Sequence, residues 1–359
     1  MTESIPMASK VVAVEELPSN NRPRDEAIDI IRRMGLPQGI AEQILKSTES
    51  FPVRYWIVDN SGSMSTGDGH RILTGPGGRE GMVTCSRWDE LGSAIMWHAR
   101  LAVELGAYTE FRLLNAPGSG PQIVIAGTTV GSYDPASAEE LRCIDELIAS
   151  TPTGRTPLCA QIRAVTAQVQ AQKESLLATG KRACIIVASD GQATDGDLAQ
   201  ALAPLRSLPV WVVVRLCTDD DSVVEYWNSI DEELELDLDV LDDLSGEAAE
   251  VTSFSPFLTY AMALHRLREF GTLYKLVDIL DERRLSKHEL IDLVALIFGD
   301  DAREQLPHPS LGFKPFLRAL KEVQAGAPPV WDPLRHRHRP WINIKALSRA
   351  YGTKACLVM

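Results

Sequence analysis

In the stretch Arg54-Tyr55-Trp56-Ile57-Val58-Asp59-Asn60-Ser61-Gly62-Ser63-Met64, a buried-strand pattern runs directly into side chains that carry oxygen atoms. The fold of the rest of the chain can be predicted outward from this stretch. Its first half is aromatic and β-branched, the composition of a strand that is covered on both faces of a sheet. Asp59, Ser61 and Ser63 then follow at alternate positions. Open α/β sheets bind ligands at the carboxyl ends of their strands, and hard divalent cations prefer oxygen donors. The stretch therefore predicts a cation site at the end of a central strand.

On its own this short motif is not specific, because such Ser, Asp and Gly combinations are common in ordinary turns. Two later segments make the pattern specific. Segment 153–158 places Thr156 in a glycine-containing loop, just before a proline that can start a helix. Segment 183–191 is a second buried strand, and it ends in Asp190. In this order the three segments resemble the metal-ion-dependent adhesion site of von Willebrand factor A domains, over roughly residues 51–245. The resemblance assigns the metal ligands to Asp59, Ser61, Ser63, Thr156 and Asp190.

The resemblance also implies a fold and a way of binding. It implies an α/β architecture with a doubly wound, mostly parallel, Rossmann-like sheet, holding Mg²⁺, with Mn²⁺ or Ca²⁺ as alternatives. A partner protein fills the open coordination position with an Asp or Glu carboxylate. In the tight-binding state Thr156 contacts the ion directly and Asp190 acts through water. Arg155 is a candidate support for the partner's carboxylate, or simply a solvent-facing side chain.

Composition narrows the class of protein. The chain has 359 residues, 45% of them hydrophobic, and a net charge of −13, which argues against general nucleic-acid binding. No apolar run of about 18 residues indicates a membrane span, and the first residues lack the pattern of a secretory signal. The six cysteines show neither paired nor zinc-like spacing, which favours a reducing compartment. We therefore expect a cytoplasmic protein that is monomeric on its own.

The chain divides by pattern into five segments: a disordered arm at 1–23, a helical hairpin at 24–50, the von Willebrand factor A-like domain at 51–250, a helical region at 251–330 and a basic tail at 331–359. The stretch 65–80 is glycine-rich and predicts a surface loop or hairpin beside the metal site. Asp195 and Asp197 lie near the second carboxylate in sequence, but aspartates before a helix are usually caps, and we leave them out of the site.

The segments at both ends leave alternatives open. The helix pair at 24–50 resembles a ubiquitin-associated element with one helix missing, which would suit a subunit of a ubiquitin or chaperone assembly. Its plainer interpretation is a hairpin packed on the main domain. Helices are predicted at 257–270, 273–281, 287–298 and 315–323.

Residues 219–250 are acidic without a single Lys or Arg. We interpret most of this charge as a solvated face, and the alternation at 234–240 as an edge strand. A calcium site is the alternative interpretation, but the segment lacks the glycine turn and oxygen spacing of a calcium loop. Segment 281–290 is too short for an EF-hand loop and carries two arginines, so no calcium is predicted there.

The last four residues, Cys356-Leu357-Val358-Met359, resemble the CaaX box of prenylated eukaryotic proteins, with a terminal Met that suggests farnesyl at Cys356. One lipid chain alone attaches a protein only weakly to a membrane, so a second signal is expected. Residues 335–354 contain six basic side chains and no acid, and such a basic segment binds an anionic membrane surface. Trp341 and Tyr351 are candidates for the membrane interface. The alternative is a basic tail that packs against the acidic 219–250 face.

Together these patterns predict an intracellular, Mg²⁺-dependent protein-binding adaptor or scaffold, tethered to the cytoplasmic face of a membrane if Cys356 is farnesylated. The alternative is a metal-dependent hydrolase or phosphotransferase that uses the same ion. Such an enzyme needs a base or nucleophile beside the metal, and His70 is the only histidine that lies near the site in sequence. His98 lies on a predicted helix face, so we do not expect it to be a ligand. We therefore expect a binding protein and not an enzyme.

Overall fold

A computed structural model describes residues 12–14, 17, 22–75, 80–131, 134–218, 220–234 and 236–352 of the chain. The strands, in chain order, are β1 (Val53–Val58), β2 (Gly69–Thr74), β3 (Glu80–Cys85), β4 (Thr109–Leu113), β5 (Ile123–Ala126), β6 (Ala183–Ser189), β7 (Val210–Leu216), β8 (Leu238–Leu241), β9 (Val330–Asp332) and β10 (Arg337–Arg339). The helices are α1 (Arg24–Arg33), α2 (Gln38–Ser50), α3 (Arg87–Leu105), α4 (Pro135–Ile148), α5 (Leu158–Ala178), α6 (Leu198–Leu202), α7 (Asp221–Leu234), α8 (Leu244–Phe254), α9 (Met262–Phe270), α10 (Leu276–Glu282), α11 (Glu289–Phe298), α12 (Asp300–Glu304), α13 (Phe313–Ala325) and α14 (Ile344–Tyr351).

Six strands form a central sheet with the order β5-β4-β1-β6-β7-β8. Neighbouring strands run parallel, except that β5 is antiparallel to β4. Successive side chains of β1 enter different cores: Tyr55 and Ile57 pack with α5, whereas Trp56 and Val58 pack with α3. Helices thus cover both faces, and the predicted doubly wound, mostly parallel α/β fold is confirmed. The strand order reverses at β1, which is where such sheets bind ligands.

The helices at the two ends of the chain share one hydrophobic core. Side chains of α1 and α2 pack with those of α9 to α14, and α2 lies directly against α11. Gly39 sets the close approach of these two helices, because a Cβ there would lie 2.0 Å from the carbonyl oxygen of Ala295. The N-terminal helix pair is therefore part of a helical layer that the C-terminal third completes.

A buried arginine joins this helical layer to the sheet. Arg54 of β1 is fully buried and donates to the carbonyl oxygens of Phe270 and Phe51, both at 3.0 Å, and to the hydroxyl of Ser47 at 2.9 Å. Its guanidinium also lies 3.6 Å from the ring centroid of Phe270. Burial lowers the pKa of Arg54 to about 10, so the side chain stays charged at neutral pH. These contacts fix α2 and α9 at the edge of the sheet where β1 begins.

The glycine-rich stretch after the first site loop forms a hairpin, one of the two predicted possibilities. Strands β2 and β3 pair antiparallel from Gly69 opposite Cys85 to Thr74 opposite Glu80. The hairpin begins beside the first turn of α3, where the backbone N–H of His70 donates to the carboxylate of Glu90 at 2.8 Å. This hairpin forms its own two-stranded sheet, separate from the central one.

Two element predictions were wrong at their boundaries. The expected strand at 234–240 begins only at Leu238, because α7 runs to Leu234. Trp227, Ile230 and Leu234 are buried at helical spacing, a pattern that the alternation of the next residues concealed. The helix expected from residue 257 begins at Met262, because the preceding residues are extended and Leu258 forms a bridge with Ile342.

The acidic segment and the basic tail both differ from expectation. Part of the acidic charge points inward, since Asp239 and Glu247 pair with the buried Arg268. In the tail, Arg335 and Arg339 pair with Asp332 within the tail itself. Trp341 is buried in the helical core and is therefore unavailable to a membrane surface. Most of the predicted N-terminal arm and the predicted prenylation site Cys356 lie outside the described residues, and those predictions stay open.

Candidate metal centre

The two predicted carboxylates meet because they follow adjacent parallel strands. Val58 at the end of β1 pairs with Ala188 of β6, and the backbone N–H of Asp59 donates to the carbonyl of Ala188 at 2.9 Å. Asp59 and Asp190 therefore leave the same edge of the sheet, at the point where the strand order reverses. This is the position that the sequence predicted for the site.

Hydrogen bonds join the first loop to both carboxylates. The hydroxyl oxygens of Ser61 and Ser63 lie 3.0 Å apart, and Ser63 donates to Asp190 Oδ1 at 2.9 Å. The backbone N–H of Ser61 donates to Asp59 Oδ1 at 2.8 Å. Four of the five predicted residues thus form one cluster of hydroxyl and carboxylate oxygens. That donor set suits a hard divalent cation and offers nothing to a soft one.

Thr156, the fifth predicted residue, lies in a loop that packs against the first. Thr153 donates from its backbone N–H to the carbonyl of Asn60 at 2.8 Å, and Gly62 donates to the carbonyl of Gly154 at 3.2 Å. Thr156 itself is 7% exposed, and its backbone N–H donates to the hydroxyl of Thr194 at 3.1 Å. Within the described chain no hydrogen bond joins the Thr156 hydroxyl to the other four residues.

Two asparagines that the sequence analysis missed hold these loops together. Asn60 donates to the carbonyl of Asn115 at 3.0 Å and accepts from its backbone N–H at 2.8 Å. Asn115 in turn donates to the carbonyl of Arg155 at 2.7 Å. Gly154 is required here, because its φ is +90° and a Cβ would lie 2.8 Å from the side-chain oxygen of Asn115. The ends of β1 and β4 thereby fix the threonine loop.

Asp59 is the most deeply buried carboxylate of the cluster, with no exposed surface. Burial raises its pKa, and hydrogen bonds from Ser189 and Ser61 act in the opposite direction. The Ser189 hydroxyl donates to Asp59 Oδ2 at 2.6 Å. A buried charge is costly unless an opposite charge compensates it. A cation bound beside Asp59 would supply that compensation.

Arg87 brings a positive charge to the second carboxylate, and the sequence analysis did not include it. Its Nη1 donates to Asp190 Oδ2 at 2.9 Å, while Nε and Nη2 donate to the two oxygens of Asp68 at 2.7 and 2.5 Å. The bidentate contact with Arg87 lowers the pKa of Asp68. One signal for this role was present in the sequence. Arg87 is the first residue of α3, where a cation opposes the helix dipole and needs acidic neighbours.

The residues excluded from the site behave as expected. Asp195 accepts from the backbone N–H groups of Cys159 and Ala160 at the start of α5, at 3.0 and 2.8 Å. Asp197 accepts from Gln200 at the start of α6. Both aspartates are therefore helix caps. Arg155, the candidate support for a partner's carboxylate, is exposed.

A second acidic cluster is formed by residues of α8 and α10, but an arginine already occupies it. Glu247, Glu250 and Asp281 bring ligand atoms within 4.8 Å of one another. Arg268 donates to Glu247 and, at 2.7 Å, to Asp281. Burial raises the pKa of Glu247 to about 8, because one guanidinium does not offset several buried acids. Arg268 thus lies where a cation would bind among these acids, and protonation of Glu247 reduces their remaining negative charge.

Comparison with known proteins gives no further assignment. A scan against models of protein families and a search of curated proteins both return no match for this chain. Among the helices that the structure describes, none combines the length and the apolar character needed to cross a membrane.

Proposed function

We propose that this protein is a Mg²⁺-dependent protein-binding module, an adaptor or scaffold that ligates a carboxylate of its partner. Asp59, Ser61, Ser63, Thr156 and Asp190 would hold the ion, with Mn²⁺ or Ca²⁺ as alternatives. The bound ion supplies an electrophilic position that an Asp or Glu side chain of the partner can fill. The resemblance to the von Willebrand factor A adhesion site motivates this proposal, and the oxygen cluster at the sheet's switch point is the observation that carries it.

The two carboxylates of the cluster differ in burial and in their hydrogen-bond partners. Asp59 is buried, and its oxygens accept from Ser61 and Ser189, which fix the carboxylate in one orientation. Asp190 shares its two oxygens between Ser63 and Arg87. The negative charge of Asp190 is therefore partly neutralised before a cation binds. This arrangement favours a metal that keeps enough positive character to attract an incoming carboxylate.

Binding is favoured over catalysis by the surroundings of the cluster. A metal-dependent hydrolase or phosphotransferase needs a base or nucleophile beside the ion. The ring of His70 lines a separate cavity behind the β2–β3 hairpin. Within the described ranges, no histidine side chain hydrogen-bonds to a residue of the cluster. The side chains that hydrogen-bond to the five predicted ligands from outside are the hydroxyls of Ser189 and Thr194 and the guanidinium of Arg87, which do not transfer protons readily at neutral pH. The nearby carboxylate of Asp68 is held by both remaining nitrogens of Arg87.

The proposal is tested by affinity capture of partners from the lysate of the source cells. Wild type and the isosteric variant Asp59→Asn are each used in Mg²⁺ and in EDTA. Asp29→Asn on the exposed face of α1 is the matched control, since it removes the same charge far from the site. We expect proteins that are retained by wild type and Asp29→Asn in Mg²⁺, but neither by Asp59→Asn nor in EDTA. Capture that ignores both the chelator and Asp59→Asn would contradict the proposal.

A further inference from the structure

A cavity of about 440 Å³ lies behind the β2–β3 hairpin, outside the oxygen cluster. Helices α3 and α9, the end of β7 and the segment that leads into β9 form its other walls. The volume falls in the range of pockets that hold small organic molecules. Its lining shares no residue with the five predicted metal ligands. The cavity therefore needs an explanation that the metal centre does not provide.

Much of the wall is apolar and partly aromatic. Two tryptophans line it, Trp97 from α3 and Trp331 from β9, together with Ile72 of the hairpin, Met262 of α9 and Leu244 of α8. Trp331 is 9% exposed, so its ring is largely withdrawn from solvent. Walls of this kind take up an apolar or flat aromatic body, for which burial is favourable and to which indole rings add stacking.

The polar atoms on this wall include several buried nitrogens without partners. His265 is 1% exposed; its Nε2 lies 3.5 Å from Glu269 Oε1, too far for a good hydrogen bond, and its Nδ1 has no partner. Burial lowers the pKa of His265 to about 3, so the ring is neutral and one nitrogen carries a proton. Arg71 Nε, His70 Nδ1 and Trp331 Nε1 are likewise buried and unpartnered. Buried polar groups are almost always satisfied, so four such residues around one cavity indicate that a hydrogen-bonding partner is missing.

The carboxylates of the wall are not that missing partner, because each already has partners. Glu90 accepts from Arg215 and from the backbone of His70. Glu269 accepts from Arg266 at 2.5 Å and from Arg215 at 3.3 Å. Both carboxylates are thus matched by arginines.

At the rim of the cavity, Glu80 contacts His338 at 3.0 Å. The wall therefore has unpartnered nitrogens, and its arginine Arg71 contacts none of the carboxylates in the described residues.

We propose that this cavity binds a small organic acid, whose apolar, flat body lies against the tryptophans and whose carboxylate accepts from the unpartnered nitrogens, Arg71 foremost. A carboxylate can accept from the unpartnered nitrogens, and its charge matches the guanidinium of Arg71. A neutral ligand would leave the charge of Arg71 without a partner, and a cationic one would add to it. The site is independent of the proposed metal function.

The test uses three probes with one body and three head groups: 2-naphthoate, 2-naphthalenemethanol and 2-naphthylmethylammonium. Titration calorimetry is done in EDTA, so that no carboxylate binds through a metal ion. We expect 2-naphthoate to bind about tenfold or more tightly than the alcohol, and the ammonium probe to bind most weakly. Arg71→Gln should weaken the binding of 2-naphthoate by about tenfold and leave the affinity for the alcohol nearly unchanged. Arg100→Gln, an exposed arginine of α3, is the matched control and should change neither.

Two further variants separate the cavity from surface binding. Ala263→Trp fills the cavity and should abolish binding of all three probes, while Trp331→Phe keeps the aromatic body but removes one N–H and should weaken 2-naphthoate alone. Circular dichroism checks that each variant is folded. If Ala263→Trp does not fold, Trp331→Phe alone is used for the test. Equal binding of the three probes, no binding of 2-naphthoate, or 2-naphthoate binding that survives Arg71→Gln unchanged would overturn the proposal.

Discussion

Arg87 and Asp190 form an ion pair, with the guanidinium Nη1 of Arg87 2.9 Å from Asp190 Oδ2, although 103 residues separate them in sequence. Asp190 is one of the five proposed ligands, and Ser63 occupies its other oxygen. The same arginine makes a bidentate contact with Asp68 at the base of the hairpin. An arginine and the proposed metal ion would thus act on one carboxylate, and the charge of Arg87 would oppose the binding of a cation.

The variant Arg87→Gln tests this opposition. Removing a positive charge that lies one side chain away from the site should tighten Mn²⁺ binding by about tenfold, or about 1.4 kcal/mol. Arg100→Gln, on the exposed face of the same helix, should leave the affinity unchanged and serves as the control. The affinity is measured by titration calorimetry. Weaker binding in Arg87→Gln would mean that Arg87 orients Asp190 for the metal and does not compete with it.

The variant Asp59→Asn tests the cost of the buried carboxylate. Since burial raises the pKa of Asp59, its charge is unfavourable without a cation, and in EDTA the variant should be within about 1 kcal/mol of wild type in stability or above it. Mg²⁺ at about one hundred times its dissociation constant should stabilise wild type by about 2.7 kcal/mol. The variant should gain nothing. Chemical unfolding with and without Mg²⁺ measures both effects, and equal stabilisation of the two proteins would refute the role of Asp59.

The ion pairs of Arg268 lead to a prediction about stability alone. Arg268 is buried and pairs with Asp239, Glu247 and Asp281, so Arg268→Met leaves three acids without their counter-charge and should cost about 3–5 kcal/mol. The loss should shrink in the double variant with Asp239→Asn, because one of the three acids that Arg268 contacts is then neutral. Unfolding in guanidinium provides the measurement. Arg142→Met on the exposed face of α4 is the control and should be nearly neutral. Equal losses in the single and double variants would exclude a charge effect.

The pH dependence of stability should reflect His98. Burial lowers the pKa of His98 to about 4, although Glu269 accepts its Nε2 hydrogen bond at 3.1 Å. Between that value and the unfolded value of about 6.5 the unfolded chain binds more protons, so stability falls as the pH falls. From pH 7 to pH 5 the loss from His98 is about 2 kcal/mol.

The variant His98→Phe keeps the ring that packs between Trp56 and Phe270 but cannot bind a proton. Unfolding free energies at several pH values should show a smaller loss in this variant than in wild type. Groups that do not contact His98 contribute equally to both proteins, so the difference reports His98 together with Glu269, its hydrogen-bond partner. An unchanged pH dependence would show that the pKa of His98 is the same in the folded and the unfolded chain, and that its ring is not buried as described.

Local pattern was sufficient for the centre of the fold and for most of the site. Continuous apolar runs identified β1 and β6, and because parallel strands end at one edge of a sheet, Asp59 and Asp190 were expected to meet. Their hydrogen-bonded neighbours Ser61 and Ser63 followed from adjacency in the chain. The sequence therefore predicts well those features that depend on residues close together in the chain.

Contacts between distant residues were not predictable in this way. Arg87 reaches Asp190, and Arg268 gathers three acids, only because the tertiary fold brings different elements together. The acidic segment looked solvated, since nothing local marks Arg268 as its buried partner. The error at α7 arose because alternating residues after Leu234 resemble a strand while Leu234 itself completes a buried helical face.

Whether the oxygen cluster binds one hard divalent cation can be measured by titration with Mn²⁺, with electron paramagnetic resonance reporting the free ion. Wild type should bind one ion per chain, and Mg²⁺ should displace it. Asp59→Asn should abolish binding and Ser63→Ala should weaken it, whereas Ser65→Ala, an exposed serine in the same loop, should bind as wild type does. A wild type that binds no Mn²⁺, or an Asp59→Asn variant that retains it, would contradict the account.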